Sequence, residues 1–334
     1  MWQYIVKQLF QRFFILIIIS FIAFMFLNTM SDPVEILKSI NPNIHQREID
    51  IYLRNQGFNR PPVIRYFYWA KNVLRGDFGK SRAYKTDVFP LLMRRIPNTL
   101  YMSLVIWCII ILVAIPLGIF SATHQYSIFD YTLTFLAFTG NALPTFWFGL
   151  LMILWFGVLP PKGYRLPFTG MYSDTVTYNG QIIPYDLAPW FVKLGDRIKH
   201  MILPVFTVSL LGLTGLLRYT RSAMLEVIRQ DYIRTARAKG LKEKTVIYYH
   251  ALRNAMIPIA TILIQSIPGL FAGALIVEQL YGWPGIGKMV FDAVMTKDYP
   301  LAMMDIMFLS FLTVIFTLIT DISYAFLDPR ISYR

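Results

Sequence analysis

Apolar and polar residues alternate along this chain in blocks too long for a soluble core. Six apolar runs stand out: Phe13 to Leu27 with its extension Asn28 to Met30, Thr99 to Thr123, Tyr131 to Leu159, His200 to Leu217, Met256 to Leu280 and Leu301 to Leu327. A helix of about 20 apolar residues crosses the hydrocarbon of a bilayer. The pattern therefore predicts an all-α integral membrane protein with six transmembrane helices. Lys7 and Arg12 precede the first run, whose length and lack of a following small-x-small site favour a retained helix over a removed leader, its N-terminus cytoplasmic.

The polar blocks divide the chain. Residues 1–30 are a tail and the first helix, and residues 31–98, rich in Asn, Arg and Pro, predict an extracytoplasmic domain between helices one and two. Residues 99–334 form a five-helix core that includes a second outer loop at 160–199 and a cytoplasmic loop at 218–255. In the outer loop, Tyr178-Asn179-Gly180 suits a hairpin turn. His124 to Asp130 is a short polar turn.

Two spans carry polar interruptions. Gly140-Asn141-Ala142-Leu143-Pro144 breaks the third, and irregular backbone at membrane depth needs protein or a water-filled cavity around it, so Asn141 reads as part of a packed kink or as the lining of a polar path. In the fifth, Thr261, Gln265, Gly269 and Gly273 follow one another four residues apart, with Ser266 and Pro268 beside them. Such a face either lets helices approach closely or lines a polar route. Glu278 closes this span and reads as solvent-exposed, and Tyr281 to Lys288 reads as a rigid turn with aromatics at the membrane interface.

The longest charged run that still has helical periodicity is Arg221 to Pro258. Met224, Val227, Ile228, Tyr232 and Ala236 share one face and arginines the other, predicting an amphipathic helix to Lys239. Gly240 ends it, because glycine takes the left-handed conformation of a helix C-terminus, and Arg237 and Lys239 suit the last turn. A second helix restarts over Leu241 to Asn254, until Pro258 opens the next apolar run. Two helices meeting at a glycine make a protruding cationic elbow.

Composition supports the membrane reading and narrows the chemistry. Hydrophobic residues are 56% and charged residues 15% of the 334, against about 25% charged in soluble domains. The mean hydropathy is +0.49. A net charge of +13 raises nucleic acid as a partner, but the basic residues sit on loops between apolar spans and no nucleic-acid-binding motif accompanies them. They read as loop solvation, attraction to the anionic lipid surface, and protein docking. Cys108, the one cysteine, excludes an intrachain disulfide. Gly76-Asp77-Phe78-Gly79-Lys80-Ser81 imitates a phosphate loop, but Leu74 stands where the first glycine is required, so the run reads as a surface turn. His45 reads as a surface residue, and the four scattered histidines assemble no metal or catalytic set.

The elbow resembles the cytoplasmic loop of the membrane subunits of ATP-binding cassette importers, which carry Glu-Ala-Ala, three residues, then Gly. Here Arg234-Thr235-Ala236 precedes Gly240, with Arg234 in place of the glutamate. The longer run Asp231 to Leu241, followed by His250-Ala251-Leu252-Arg253-Asn254-Ala255, is similar to the dipeptide, oligopeptide and nickel permease branch. Tyr281 to Lys288 with Asp298-Tyr299-Pro300, the Gly-Asp-Phe-Gly turn and the terminal Leu327-Asp328-Pro329-Arg330 agree with it.

The resemblance implies a peptide-importer permease subunit of the bacterial inner membrane, both termini cytoplasmic, that binds no cofactor and has no catalytic or metal site of its own. Its implied partners are a second related permease subunit, commonly non-identical, two cytoplasmic ATPase subunits that bind the ATP, and an extracytoplasmic substrate-binding protein. Asp231, Ala236, Arg237, Ala238, Lys239, Gly240, Leu241 and Lys242 would couple to an ATPase, and Asn141, Thr261, Gln265 and Ser266 are the candidates for the pathway lining. The cargo reads as oligopeptide ahead of dipeptide. An ion-coupled secondary transporter is the rival, and it calls for paired ionisable groups at mid-membrane.

Overall fold

The computed structural model describes residues 2–30, 34, 43–55 and 60–327. The Asp328-Pro329-Arg330 part of the terminal motif, and residues 31–33, 35–42 and 56–59 of the 31–98 region, lie outside them. The chain forms two compact units, one of Met1–Arg95 with Met289–Ile322 and one of Ile96–Lys288.

The first unit begins with α1 (Trp2–Met30), followed by α2 (Gln46–Asn55) and α3 (Pro62–Leu74). Pro62 suits the first turn of α3, where its missing N–H has no intrahelical partner. That helix lies on α1 through Tyr66, whose hydroxyl is 2.7 Å from that of Ser20 and whose ring meets Phe21 edge-on. Gly76 and Gly79 have positive φ, and the turn they shape delivers Ser81 to Asp298: the Ser81 hydroxyl and the Ala83 N–H donate to its carboxylate at 2.6 and 2.9 Å. The imitation phosphate loop is thus committed to an aspartate inside its own unit. Tyr84 donates to Asp292 at 2.8 Å, and burial together with that bond pushes its pKa up to about 12. The unit ends in α12 (Tyr299–Leu327), where Arg12 of α1 pairs with Asp321.

The second unit is built around one long helix. It contains most of α4 (Val88–Thr123), then α5 (Ile128–Ala142) and α6 (Thr145–Met152) with a π-turn at Ile153–Val158. An antiparallel hairpin of β1 (Thr175–Tyr178) and β2 (Gln181–Pro184) turns at Asn179 and Gly180, both with positive φ as a type I′ turn requires. The long helix, α7 (Trp190–Ile228), packs against α5 and α6. After it come α8 (Asp231–Ala238), a turn at Glu243–Thr245, a π-turn at Val246–Ala251, α9 (Leu252–Ala272), α10 (Leu275–Leu280) and α11 (Ile286–Met295), which enters the first unit. A Cβ at Gly140 would come within 2.7 Å of the Thr214 methyl, so glycine sets how closely α5 and α7 approach.

Among the described residues, five helices are long and apolar enough to cross a membrane, and α5 with the segment 145–158 adds a sixth candidate bent by 101°. The break falls at Leu143-Pro144, since a proline disfavours helical backbone in the residue before it. Several boundaries differ from the sequence reading because helical hydrogen bonding continues where apolarity stops. The second span starts at Val88 and carries Arg94 and Arg95, and α7 absorbs residues 190–199 and runs on to Ile228. The fifth runs over Glu243–Leu280 and is broken at Gly273, which turns to φ +70° between α9 and α10.

Candidate functional site

Where α7 approaches the elbow, Arg221 holds Asp130 by two parallel hydrogen bonds, Nε to Oδ1 at 2.7 Å and a terminal nitrogen to Oδ2 at 2.8 Å. Ser121 also donates to Asp130, and the Tyr126 N–H does so at 3.0 Å. Ser127 accepts the Asp130 N–H, capping α5. One carboxylate therefore joins the ends of α4, α5 and α7. Arg221 belongs to this knot rather than to the elbow's exposed face.

The elbow itself starts later than its periodicity implied. The single amphipathic helix expected through Lys239 breaks at Arg229-Gln230, and α8 restarts at Asp231, whose charge suits a helix N-terminus. Ile233 and Ala236 are buried in a cluster with Met224, Leu217, Val246 and Ala251. Tyr232, expected on the apolar face, is exposed, and Ile233 takes its place. Gly240 has φ +75°, as a left-handed helix end requires, and no atom lies within 4 Å of where its Cβ would be.

Arg237 reaches across that glycine to Glu243, with hydrogen bonds of 2.7 and 3.2 Å that raise the guanidinium's pKa and hold its charge. Asp231 and Arg234 make a looser, exposed pair at 3.5 Å. Beyond Gly240 the helix restarts as expected, at Glu243, but does not end before Pro258. The π-turn leads into α9, which runs through Pro258 without a break. Neighbouring groups in a membrane bundle can satisfy the carbonyl that a proline frees.

Of the residues expected to couple, Ala236 is buried and seats the elbow. Asp231, Arg237, Ala238, Lys239, Gly240, Leu241 and Lys242 are exposed. Leu241, Tyr248 and Tyr249 expose 41, 61 and 62% of their surface beside Lys239, Lys242 and Lys244. These exposed apolar side chains stand on the same short stretch of chain as the lysines. Charge counting alone had not singled out Tyr248 and Tyr249 from the rest of the loop.

The polar candidates in the spans separate. Thr261 is buried and donates to the Ile257 carbonyl at 3.1 Å, so it packs within its own helix. Gln265 and Ser266 are exposed, and nothing lies within 4 Å of a Cβ placed on Gly269. Ser266 accepts the Trp107 indole N–H at 3.0 Å, tying α9 to α4. Asn141 is exposed next to the α5–α6 break. Gln265 and Gly269 are thus open on the stretch of α9 that Trp107 meets at Ser266.

Two expectations are corrected. Glu278 has no exposed surface, and Tyr281 and Trp283 are buried rather than interfacial. The Tyr281 hydroxyl donates to the Gly149 carbonyl at 3.2 Å and lies 2.8 Å from that of Thr207, while the Trp283 indole donates to the Asn98 carbonyl at 2.9 Å. Their partners stand far away in sequence, where no local pattern reveals them.

Residues 114–333 match the family described as binding-protein-dependent transport system inner membrane component. Over 332 residues the chain is 39% identical to the oligopeptide transport system permease protein AppB of Bacillus subtilis, with 99% of each covered. It is 33% identical over 328 residues to the dipeptide transport system permease protein DppB of Escherichia coli, covering 95% of this chain and 94% of that one. Identity is 32% over 309 residues to the di/tripeptide transport system permease protein DppB of Pseudomonas aeruginosa, covering 91% and 90%. Alignment along the whole length, joined to the set of spanning helices and the seated elbow, makes this chain a multi-pass membrane protein belonging to the inner-membrane components of binding-protein-dependent transport systems.

Proposed function

We propose that this chain is one of two related, non-identical membrane subunits of an ATP-driven peptide importer, with oligopeptides as its cargo. The full-length similarity to an oligopeptide permease protein supports that choice over dipeptides. The chain crosses the inner membrane six times, the 101° bend lying within the third crossing. Residues 31–98 and 160–199 face outward, where a substrate-binding protein docks, and both termini and the elbow face the cytoplasm. The chain binds no cofactor. ATP is bound by two ATPase subunits, one of which receives the elbow.

The observation that carries this reading is the elbow, seated by Ile233 and Ala236, clamped across Gly240 by Arg237 and Glu243, with Leu241, Tyr248, Tyr249 and the lysines outward. An ATPase groove that binds it with unequal affinity in its ATP-bound and ATP-free states biases the membrane helices between two openings, since a partner shifts an equilibrium only through such a difference. The polar face at Gln265 and Ser266, together with Asn141, lines the route the peptide takes, and Thr261 packs behind it.

The test is retention of ATPase subunits on tagged chain purified in mild detergent. Leu241→Asp places a charge in the apolar patch, and Gly240→Pro forbids the positive φ. Both lose the ATPase while the chain stays monodisperse. Retention equal to wild type in both variants refutes the elbow as the docking element.

A further inference from the structure

Residues Gly273 to Lys288 close over a buried carboxylate. Glu278 Oε1 accepts the Thr99 hydroxyl at 2.9 Å, and Oε2 accepts the Lys288 N–H at 3.0 Å. The Thr99 oxygen in turn accepts the Ile286 N–H at 2.7 Å, and the Asn98 side-chain amide donates to the Pro284 carbonyl at 2.9 Å. With the Trp283 bond to Asn98, the junction between α10 and α11 is fastened to one point on α4. A Cβ at Gly273 or Gly285 would run into Glu278 and one at Gly287 into the Leu275 backbone, so these glycines let the chain pass around the carboxylate.

On the other side of Gly273 the situation reverses. There α9 is continuous through the π-turn with the elbow, its first half is packed by Ala255 and Ile259, and its second half exposes Gln265 and Gly269 and meets α4 through the Trp107–Ser266 hydrogen bond. A rod joined to the elbow therefore meets a junction fixed to α4 at one residue of φ +70°.

We propose that Glu278 and Thr99 are positioning residues for transport: they fix the outer anchor against which α9 pivots at Gly273, so that movement at the elbow changes the width of the pathway. This rests on the elbow reading above. Without the anchor, the whole span shifts together and ATP turnover is no longer converted into passage.

The test uses the complete importer with its ATPase subunits and binding protein in proteoliposomes, scoring ATPase retention, ATP hydrolysis and peptide uptake separately. Thr99→Val removes the hydroxyl, and Glu278→Gln faces the Lys288 N–H with a donor. Both keep the ATPase and hydrolyse ATP, but uptake per ATP falls about tenfold, the scale of one lost hydrogen bond to a charged group. Thr99→Ser restores it. Unchanged uptake per ATP in both variants, or the same fall in Thr99→Ser, overturns the proposal, whereas a wild type that retains no ATPase overturns the elbow reading on which it rests. A second measurement avoids disturbing the anchor. Spin labels at Leu104→Cys and Gln265→Cys, in a Cys108→Ser background, change separation on ATP binding, while labels at Leu104→Cys and Ile276→Cys do not. Equal changes in the two pairs overturn the pivot.

Discussion

Asp130 is nearly fully buried yet accepts hydrogen bonds from Arg221, Ser121 and the Tyr126 backbone. A buried charge whose partner is removed becomes costly, about 3 kcal/mol or more. Arg221→Met is therefore expected to lower the detergent unfolding temperature by roughly 5–10 °C, and Asp130→Asn combined with Arg221→Met to recover part of it. A thermal-shift series reads both, and additive losses would contradict coupling. At this scale the sequence was least informative. Arg221 read as one elbow cation among many and Glu278 as an exposed span end, because Asp130 and Thr99 stand 91 and 179 residues from the groups they bind.

The elbow was more legible as an element. Gly240, the cations around it and an apolar face were all readable, since each is a local signal. The break at Gln230 and the register that buries Ile233 instead of Tyr232 were not, because the core beneath the helix decides them. The Arg237–Glu243 clamp is half exposed, so removing it costs under about 1 kcal/mol of stability. Under the docking proposed above, its effect falls on ATPase retention. Arg237→Glu alone reduces ATPase retention several-fold, and Arg237→Glu with Glu243→Arg restores it. Failure of the exchange would mean that Arg237 contacts the ATPase directly. Ile233→Ser unseats α8 and loses retention entirely, read by the same co-purification.

At the scale of the whole molecule, apolar length alone revealed the helical membrane class. It could not reveal the 101° bend after α5, nor that helices continue from apolar into charged sequence. In the first unit, Arg12 of α1 pairs with Asp321 of α12, and the topology proposed above, with both termini cytoplasmic, is open to a labelling test. Single cysteines at Tyr172 and Leu187, in a Cys108→Ser background, are expected to react with an impermeant maleimide on intact spheroplasts, and one at Lys242 only after lysis. Labelling of Lys242→Cys from outside would invert the topology.

Family membership makes ATP the energy source in this account. The most direct measurement is uptake of a labelled oligopeptide into proteoliposomes holding this chain, its partner permease and ATPase subunits, with the binding protein outside. Uptake that requires ATP inside, persists with ion gradients collapsed and is lost in Leu241→Asp is the result expected. Uptake driven by an ion gradient without ATP, or by the Leu241→Asp complex at wild-type rate, would contradict the account.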